Sequence, residues 1–587
     1  MAIVDIFHRF PVPSKVVGFS LLGLLILPVA RFLQQGFQAR SKIRRLQADG
    51  IPILPHSWLW GHLPLFFRYR RSYPDDVHWI SVFQAWIMDN GAELFGGQVF
   101  PGGRQYPAIV YMDIWPLSTP FLVIMNHGLA GQVKALPVSN VLKHFMAPIE
   151  WNLSIGALEG EQWKLWRSRF NPGFSVRSIL GLMPLMVEEI EVFGSLLRKK
   201  CRGKEGREWS SAFPIEEALI NLTFDIIGRT VLDVQFGEQS ETPSGFKDAL
   251  LGQIALQGFG LEFISKLKKI SPWWYAAVRR QDQRMNRILE PHIIKRADEM
   301  VAASSSSSSS IGNNGGVQTV VDLALKQWAV EQEERAKSGL GRETRPSREF
   351  IRVVESNVRL FVMAGYDSSA SSLCFILGDL ARNPGALAAM RAEHDAVFGP
   401  DPAAAAATLR KTPALINQIP YTLAVVRESM RLHPNIGAVR DGAPGTTMSV
   451  PGYEGVPWPT DGYSVWEGLV SMHREEAIWP RATEFLPERW LADSDIHKTT
   501  TPLPGEMLRT FAYRPRNCIG QDLILIELRV LLVMLGRTFD FTDGWDEWEA
   551  KTGISVTPVL GSKLYPAGDG VMHPSKGFPM RVRLAQR

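Results

Sequence analysis

Phe511-Ala512-Tyr513-Arg514-Pro515-Arg516-Asn517-Cys518-Ile519-Gly520 is followed at once by an apolar helical pattern from Leu523 to Leu535. A cysteine placed just ahead of a helix has the first helical amides aimed at its sulfur. Those dipoles favour the thiolate, the form that binds metals. Phe511 can shield the sulfur, and Gly520 lets the chain pass close to a flat ligand as the helix opens. A lone cysteine beside a basic turn is more often a buried structural residue. The spacing of its neighbours reverses that expectation here.

The run resembles the heme-binding signature of the cytochrome P-450 monooxygenases, which reads Phe, two residues, Gly, one, Arg, one, Cys, one, Gly. Four of the five fixed positions match, at Phe511, Arg516, Cys518 and Gly520. Arg514 stands where the family has glycine, which puts a side chain into the turn. The resemblance implies a mainly α fold with small β-sheets, built as one large heme domain. It implies heme b (iron protoporphyrin IX) as cofactor, with Cys518 as the metal ligand. Phe511, Arg516 and Gly520 would bind the cofactor, Arg516 through a propionate. A thiolate pushes electron density through the iron and favours O–O cleavage.

Three further motifs resemble the same family. Glu428-Ser429-Met430-Arg431 lies in a helical stretch from Tyr421 to Leu432 that Pro434 stops. Glutamate and arginine three apart share a helix face. Phe485-Leu486-Pro487-Glu488-Arg489-Trp490 is similar to the segment that supplies a second arginine, so the resemblance implies a buried structural triad of Glu428, Arg431 and Arg489. From Ser347 to Arg382 the chain reads as one long helix, with Ala364-Gly365-Tyr366-Asp367-Ser368-Ser369 in its middle. Gly365 costs a helix roughly 1 kcal/mol against alanine, so a row of small residues there needs a reason. Packing against another helix is one. The resemblance supplies a second: a glycine, an acid and a hydroxyl open the helix over the iron, and Asp367 and Ser368 relay protons to dioxygen as the catalytic pair. Leu360, Phe361, Met363 and the segment from Asn435 to Val439 are the expected substrate contacts. Upstream, Trp163-Lys164-Leu165-Trp166-Arg167 leads into Phe170-Asn171-Pro172-Gly173-Phe174-Ser175, which resembles the family's third helix and its exit. Trp163 and Arg167 would grip the other propionate, with Arg440 as a third propionate partner. His433 and His473 read as core residues, not as ligands.

Length and charge agree with this reading. The chain has 587 residues and a formal net charge of +5, too small a surplus to argue for nucleic acid. Only Cys201, Cys374 and Cys518 occur, so no disulfide framework is indicated. Val16 to Ala30 carries no charge and is bounded by Lys15 and Arg31. It is short against the ~20 residues that cross a bilayer comfortably, and a cleaved signal peptide is the rival reading. Bulky, basic Arg31-Phe32-Leu33 argues against cleavage, and the basic residues downstream place the main body of the chain on the cytoplasmic side. The expectation is an anchor over residues 1–34, a linker with a Pro52/Pro55 hinge over 35–70, and the heme domain over 71–587, interrupted by a low-complexity loop near 302–318. That loop, Ser304 to Ser310 followed by Gly312-Asn313-Asn314-Gly315-Gly316, cannot bury apolar surface.

No dinucleotide fingerprint is present, and the stretch after Gly520 is too short for a flavin domain. The resemblance therefore implies electrons from a separate NADPH-cytochrome P-450 reductase, with cytochrome b5 as an optional second donor. It implies a single-pass endoplasmic reticulum membrane protein with a cytoplasmic catalytic domain. The expected reaction inserts one oxygen atom from O2 into a small apolar molecule, with a polyketide or terpenoid intermediate of secondary metabolism as the expected class. The rivals are a heme-thiolate isomerase or dehydratase, which Asp367-Ser368 disfavours, and a non-catalytic heme-binding protein.

Overall fold

The computed structural model describes residues 12–203, 206–257, 269–305, 318–341, 343, 345–500 and 507–586. The elements that frame the site are, in chain order, α1 (Val12–Ala48), β1 (Ile109–Met112), β2 (Phe121–Ile124), α2 (Gly160–Phe170), α3 (Ile215–Leu232), α4 (Arg348–Arg382), α5 (Pro420–Leu432), β3 (Val439–Asp441), β4 (Ser464–Glu467), α6 (Gln521–Thr538), β5 (Phe539–Asp543) and β6 (Pro579–Leu584).

Helix α4 is the axis of the molecule. Ser347 caps it by accepting the Phe350 amide, and Asn383-Pro384 ends it. By length and composition α4 is apolar enough to cross a membrane, yet 67% of that window is buried in the protein, so it is a core helix. Helix α3 lies along it, and Thr223 Oγ1 donates to the Tyr366 carbonyl at 2.9 Å. Helix α6, whose face from Leu523 to Leu535 is nearly all buried, packs beneath α4 and runs directly into β5.

Four small sheets among the described residues complete the α+β architecture, and the two larger ones are as follows. In the first, β1 pairs antiparallel with β2, β2 parallel with β4, and β4 antiparallel with β3, placing Arg440 opposite Val465. All residues of β1, β2 and β4 are buried, as expected of the apolar runs they carry. In the second sheet, β6 lies between β5 and the short strand Phe213–Pro214.

At the N-terminus α1 runs through residue 34 without a break. Along it, residues from Ile26 to Gln35 are exposed, whereas Ala39, Ile43 and Leu46 are buried and Arg40 pairs with Asp113 in the interior. Helical structure also enters the serine-rich segment. The helix Pro272–Ser305 reaches into residues 302–318, for which the composition predicts a loop; the remainder of that stretch, 306–317, lies outside the described residues.

Candidate active site

The cysteine loop is closed by its own backbone. The Cys518 amide donates to the Phe511 carbonyl at 2.9 Å and the Ala512 amide to the Arg509 carbonyl at 3.0 Å. Ala512 sits at φ +57°, in the left-handed region that costs an L-residue roughly 1–2 kcal/mol. The Phe511 ring is half-buried against the main core. Arg514, in the position of the family's glycine, is exposed, so its side chain is accommodated outward.

Burial pushes the Cys518 thiol upward, while the Gly520 amide and the Arg167 charge pull it back, leaving it above the ordinary range. The residue nevertheless stays accessible. A sulfur crowded by protein, open on one side and fed by an amide dipole is one that a bound cation would deprotonate outright. A Cβ added at Gly520 would sit 3.9 Å from the sulfur, an ordinary contact.

The expected propionate partners converge around this loop. Arg167 donates to the Asn517 carbonyl at 3.0 Å and to Asn171 Oδ1 at 2.8 Å, bracing the residue before the cysteine. The Arg516 guanidinium stacks 4.5 Å over the Trp163 ring and donates to the Leu158 carbonyl at 2.7 Å. Arg516 is held below the usual arginine range, first by burial and then by Arg440 and Arg167, against the opposing pull of Glu159. Arg440 on β3 faces Glu467 and Glu159, and Arg509 faces Glu467. Burial raises Glu467 to about 7, and Glu159 is already paired with Lys143 at 2.6 Å. Three guanidiniums, with Arg167 beside them, thus share two carboxylates in a half-buried cluster. That cationic surplus fits the two propionates of heme, and the accessible Cys518 sulfur would offer its iron a thiolate, so the residues present fit the cofactor.

On the α4 side, Asp367 and Ser368 diverge. Ser368 Oγ donates to the Ala364 carbonyl at 2.7 Å, and the Ser368 carbonyl accepts from Asn435 at 3.0 Å. Asp367 points to His573 on the C-terminal segment, with Oδ1 3.5 Å from Nε2. Burial lifts Asp367 to about 6; the His573 charge opposes that lift and Glu216 adds to it. Gly365 serves packing. A Cβ there would lie 2.6 Å from Ile227 Cδ1 on α3, the packing against another helix that the row of small residues allows. Phe361, one of the expected substrate contacts, is buried edge-on against Phe170 and Phe174. Leu360 and Met363 are only partly buried.

Glu428, Arg431 and Arg489 meet in the interior. Arg431 holds Glu428 with two bonds of 2.8 and 2.9 Å, and Arg489 Nε lies 3.4 Å from Glu428 Oε1; all three side chains are fully buried. His433 meets Asp379 and stacks on Phe375, and His473 bonds the Arg431 carbonyl and the Arg509 amide. His473 thereby holds the residue whose carbonyl closes the start of the cysteine loop.

Sequence reasoning missed Glu527, Arg509, Glu216 and His573. Glu527 on α6 accepts the Ser369 hydroxyl at 2.7 Å, and burial drives its carboxyl up to about 8. An acid inside the run Leu523 to Leu535 was the available signal, because a buried carboxyl must find a partner.

The family model for cytochrome P-450 matches residues 114–560. The chain is 31% identical over 576 residues to cytochrome P-450 monooxygenase polC of Polytolypa hystricis, covering 96% of this chain and 95% of that protein. It is 30% identical over 496 residues to cytochrome P-450 monooxygenase acrF of Aspergillus aculeatus, covering 80% of this chain and 93% of that one. Among solved structures, the cytochrome P450DA heme domain superposes with a TM-score of 0.62 at 17% identity, over 91% of this chain and 98% of that one.

Proposed function

This chain belongs to the cytochrome P-450 family and is a heme b oxidoreductase, and from that premise we propose that it inserts one atom of O2 into a small apolar metabolite, with electrons from a separate NADPH-cytochrome P-450 reductase. The observation that carries the reading is the accessible Cys518 sulfur, held by the Gly520 amide beside the surplus of guanidiniums. Heme bound there would supply the oxygen chemistry. The chain's own residues do the rest. Arg167 fixes the cysteine loop through the Asn517 carbonyl, and Arg440, Arg509 and Arg516 offer the cations for the propionates. Glu527 ties α6 to the Ser369 hydroxyl, fixing the spacing between the cysteine helix and α4. Asp367 supplies a proton-carrying carboxyl on α4, and Ser368 a hydroxyl one residue on.

The substrate is read as a secondary-metabolite intermediate, a polyketide or terpenoid, in keeping with the fungal monooxygenases to which the chain is similar. We place the enzyme on the cytoplasmic face of the endoplasmic reticulum, held by the N-terminal helix. Supporting this, Ile26, Leu27, Val29 and Leu33 are exposed on α1, and Trp58, Leu59, Trp60 and Phe67 are exposed further along the chain.

The test is the reduced, carbon monoxide-bound spectrum of the purified full chain. Thiolate ligation in the wild type, lost in Cys518→Ala and kept in Cys201→Ala and Cys374→Ala, is the expected result. A pigment-free wild type, or a spectrum of nitrogen-bound iron, refutes it. Reductase-dependent oxygen consumption with a metabolite library then separates a monooxygenase from an isomerase that needs no electrons.

A further inference from the structure

We infer that His573 is the proton donor that recharges Asp367 from solvent, with Glu216 as the positioning residue that orients it; this rests on the monooxygenase reading of the site. Three side chains from distant parts of the chain meet in a row. Glu216 stands in the first turn of α3, His573 in the two-residue strand His573–Pro574, and Asp367 in the middle of α4. His573 Nδ1 lies 2.6 Å from Glu216 Oε1, and its Nε2 lies 3.5 Å from Asp367 Oδ1. The first contact is a short charge-assisted hydrogen bond that fixes the ring and leaves Nε2 as the atom facing Asp367.

Exposure gives the row a direction. The His573 side chain is 31% exposed, against 17% for Asp367 and 13% for Glu216, so water reaches the imidazole most readily. The groups facing His573 are Glu216 from α3, Asp367 from α4 and His78, which precedes the helix Trp79–Leu94. The two carboxylates outweigh burial and raise His573 to about 9, whereas burial holds His78 down at about 4. At neutral pH the ring between the carboxylates is therefore the imidazolium, a loaded donor.

The step balances simply. The Nε2–H bond of His573 breaks and an O–H bond forms on Asp367, leaving a neutral imidazole whose Nδ1–H stays on Glu216. Bulk solvent then returns a proton to Nε2 and keeps the conjugate base, and Asp367, now a carboxylic acid, holds the transferred proton on α4. His573 lies in the C-terminal segment, beyond residues 114–560, where the family model matches.

The experiment uses the full heme-loaded chain and three variants, His573→Gln, Asp367→Asn and Glu216→Gln, with four readouts. Histidine-labelled protein gives the His573 titration by NMR; it should fall near 9 in the wild type and drop by ~1 unit or more in Asp367→Asn and in Glu216→Gln. Turnover in mixed H2O and D2O gives the solvent isotope effect, which should rise at least about 2-fold in His573→Gln, with product formed per NADPH falling in parallel. Glutamine keeps a donor for Glu216 but carries no titratable proton, so a merely structural pairing predicts no change in the isotope effect. An unperturbed His573 titration, or an isotope effect in His573→Gln equal to wild type, overturns the relay. The carbon monoxide spectrum of each protein separates the two readings. A thiolate spectrum with an unchanged isotope effect sinks the relay alone, and absence of that spectrum in the wild type sinks both.

Discussion

Replacing Glu428 by alanine tests the brace most sharply, because the carboxylate and both arginines it holds are out of water. Its two oxygens take both ionic bonds from Arg431, the longer approach of Arg489, the Trp490 indole N–H at 2.9 Å and the Leu486 amide at 3.1 Å. Arg431 keeps the carbonyls of His473, Ala482 and Glu484 after the change, but two guanidiniums of 0% exposure lose their shared counter-charge. Stranding buried charge in this way costs about 3–5 kcal/mol. At ~2.1 cal/mol/K per residue, cooperative unfolding of a chain of this length has an entropy on the order of 1.2 kcal/mol/K, so the midpoint should drop by only about 2–4 °C. Urea unfolding of the heme-loaded protein, followed by tryptophan fluorescence, therefore reads the effect better than a melting curve. Glu428→Gln, which keeps an acceptor and loses the charge, should fall between wild type and alanine. Joint replacement of Glu428, Arg431 and Arg489 by apolar residues of similar volume should cost less than Glu428→Ala alone, because no charge is left stranded. A loss below about 1 kcal/mol in Glu428→Ala, or a joint replacement as damaging as the sum of its parts, would refute the stranded-charge argument.

Glu527, lifted from 4.5 to about 8, binds a proton in the fold that the unfolded chain has released, so its contribution to stability declines as pH climbs from 4.5 to 8. Glu527→Gln should remove a slope of up to about 1.4 kcal/mol per pH unit from urea stability measured between pH 5 and 8; an unchanged slope contradicts the burial assigned to it. Gly365→Ala should destabilise by about 1 kcal/mol, because overpacking Ile227 at ~1–3 kcal/mol exceeds the ~1 kcal/mol gained in helix propensity. In an Ile227→Ala background the same change should stabilise, and destabilisation in both backgrounds would discard the contact as the cause. Deleting residues 1–31 should release most of the protein from phospholipid vesicles in a sedimentation assay. Trp58, Leu59, Trp60 and Phe67 would retain the remainder, and full retention would place the anchor elsewhere.

What could be read from the chain, and what could not, divides along contiguity. The thiolate loop needs its residues in a single turn and the following helix, so Phe511, Arg516, Cys518 and Gly520 must lie side by side in the sequence, and the pattern is visible there. The same holds for Glu428 and Arg431, one turn apart on α5. Gly365 was legible as a cost in helix propensity but not as a cause, because the atom that requires it belongs to Ile227, more than a hundred residues upstream on α3. Phe361 sits on the apolar α4, and only the arrival of Phe170 and Phe174 decides that it faces the core. Glu216, Asp367 and His573 are the limiting case. Each is ordinary in its own segment, and a short C-terminal strand pairing brings the imidazole between two acids that neither periodicity nor spacing connects. The candidate thiolate ligand is thus encoded locally, whereas the proposed supply of protons to the neighbouring helix is encoded in topology. On that proposal, sequence change at the C-terminal strand alters proton delivery while leaving the cysteine signature untouched.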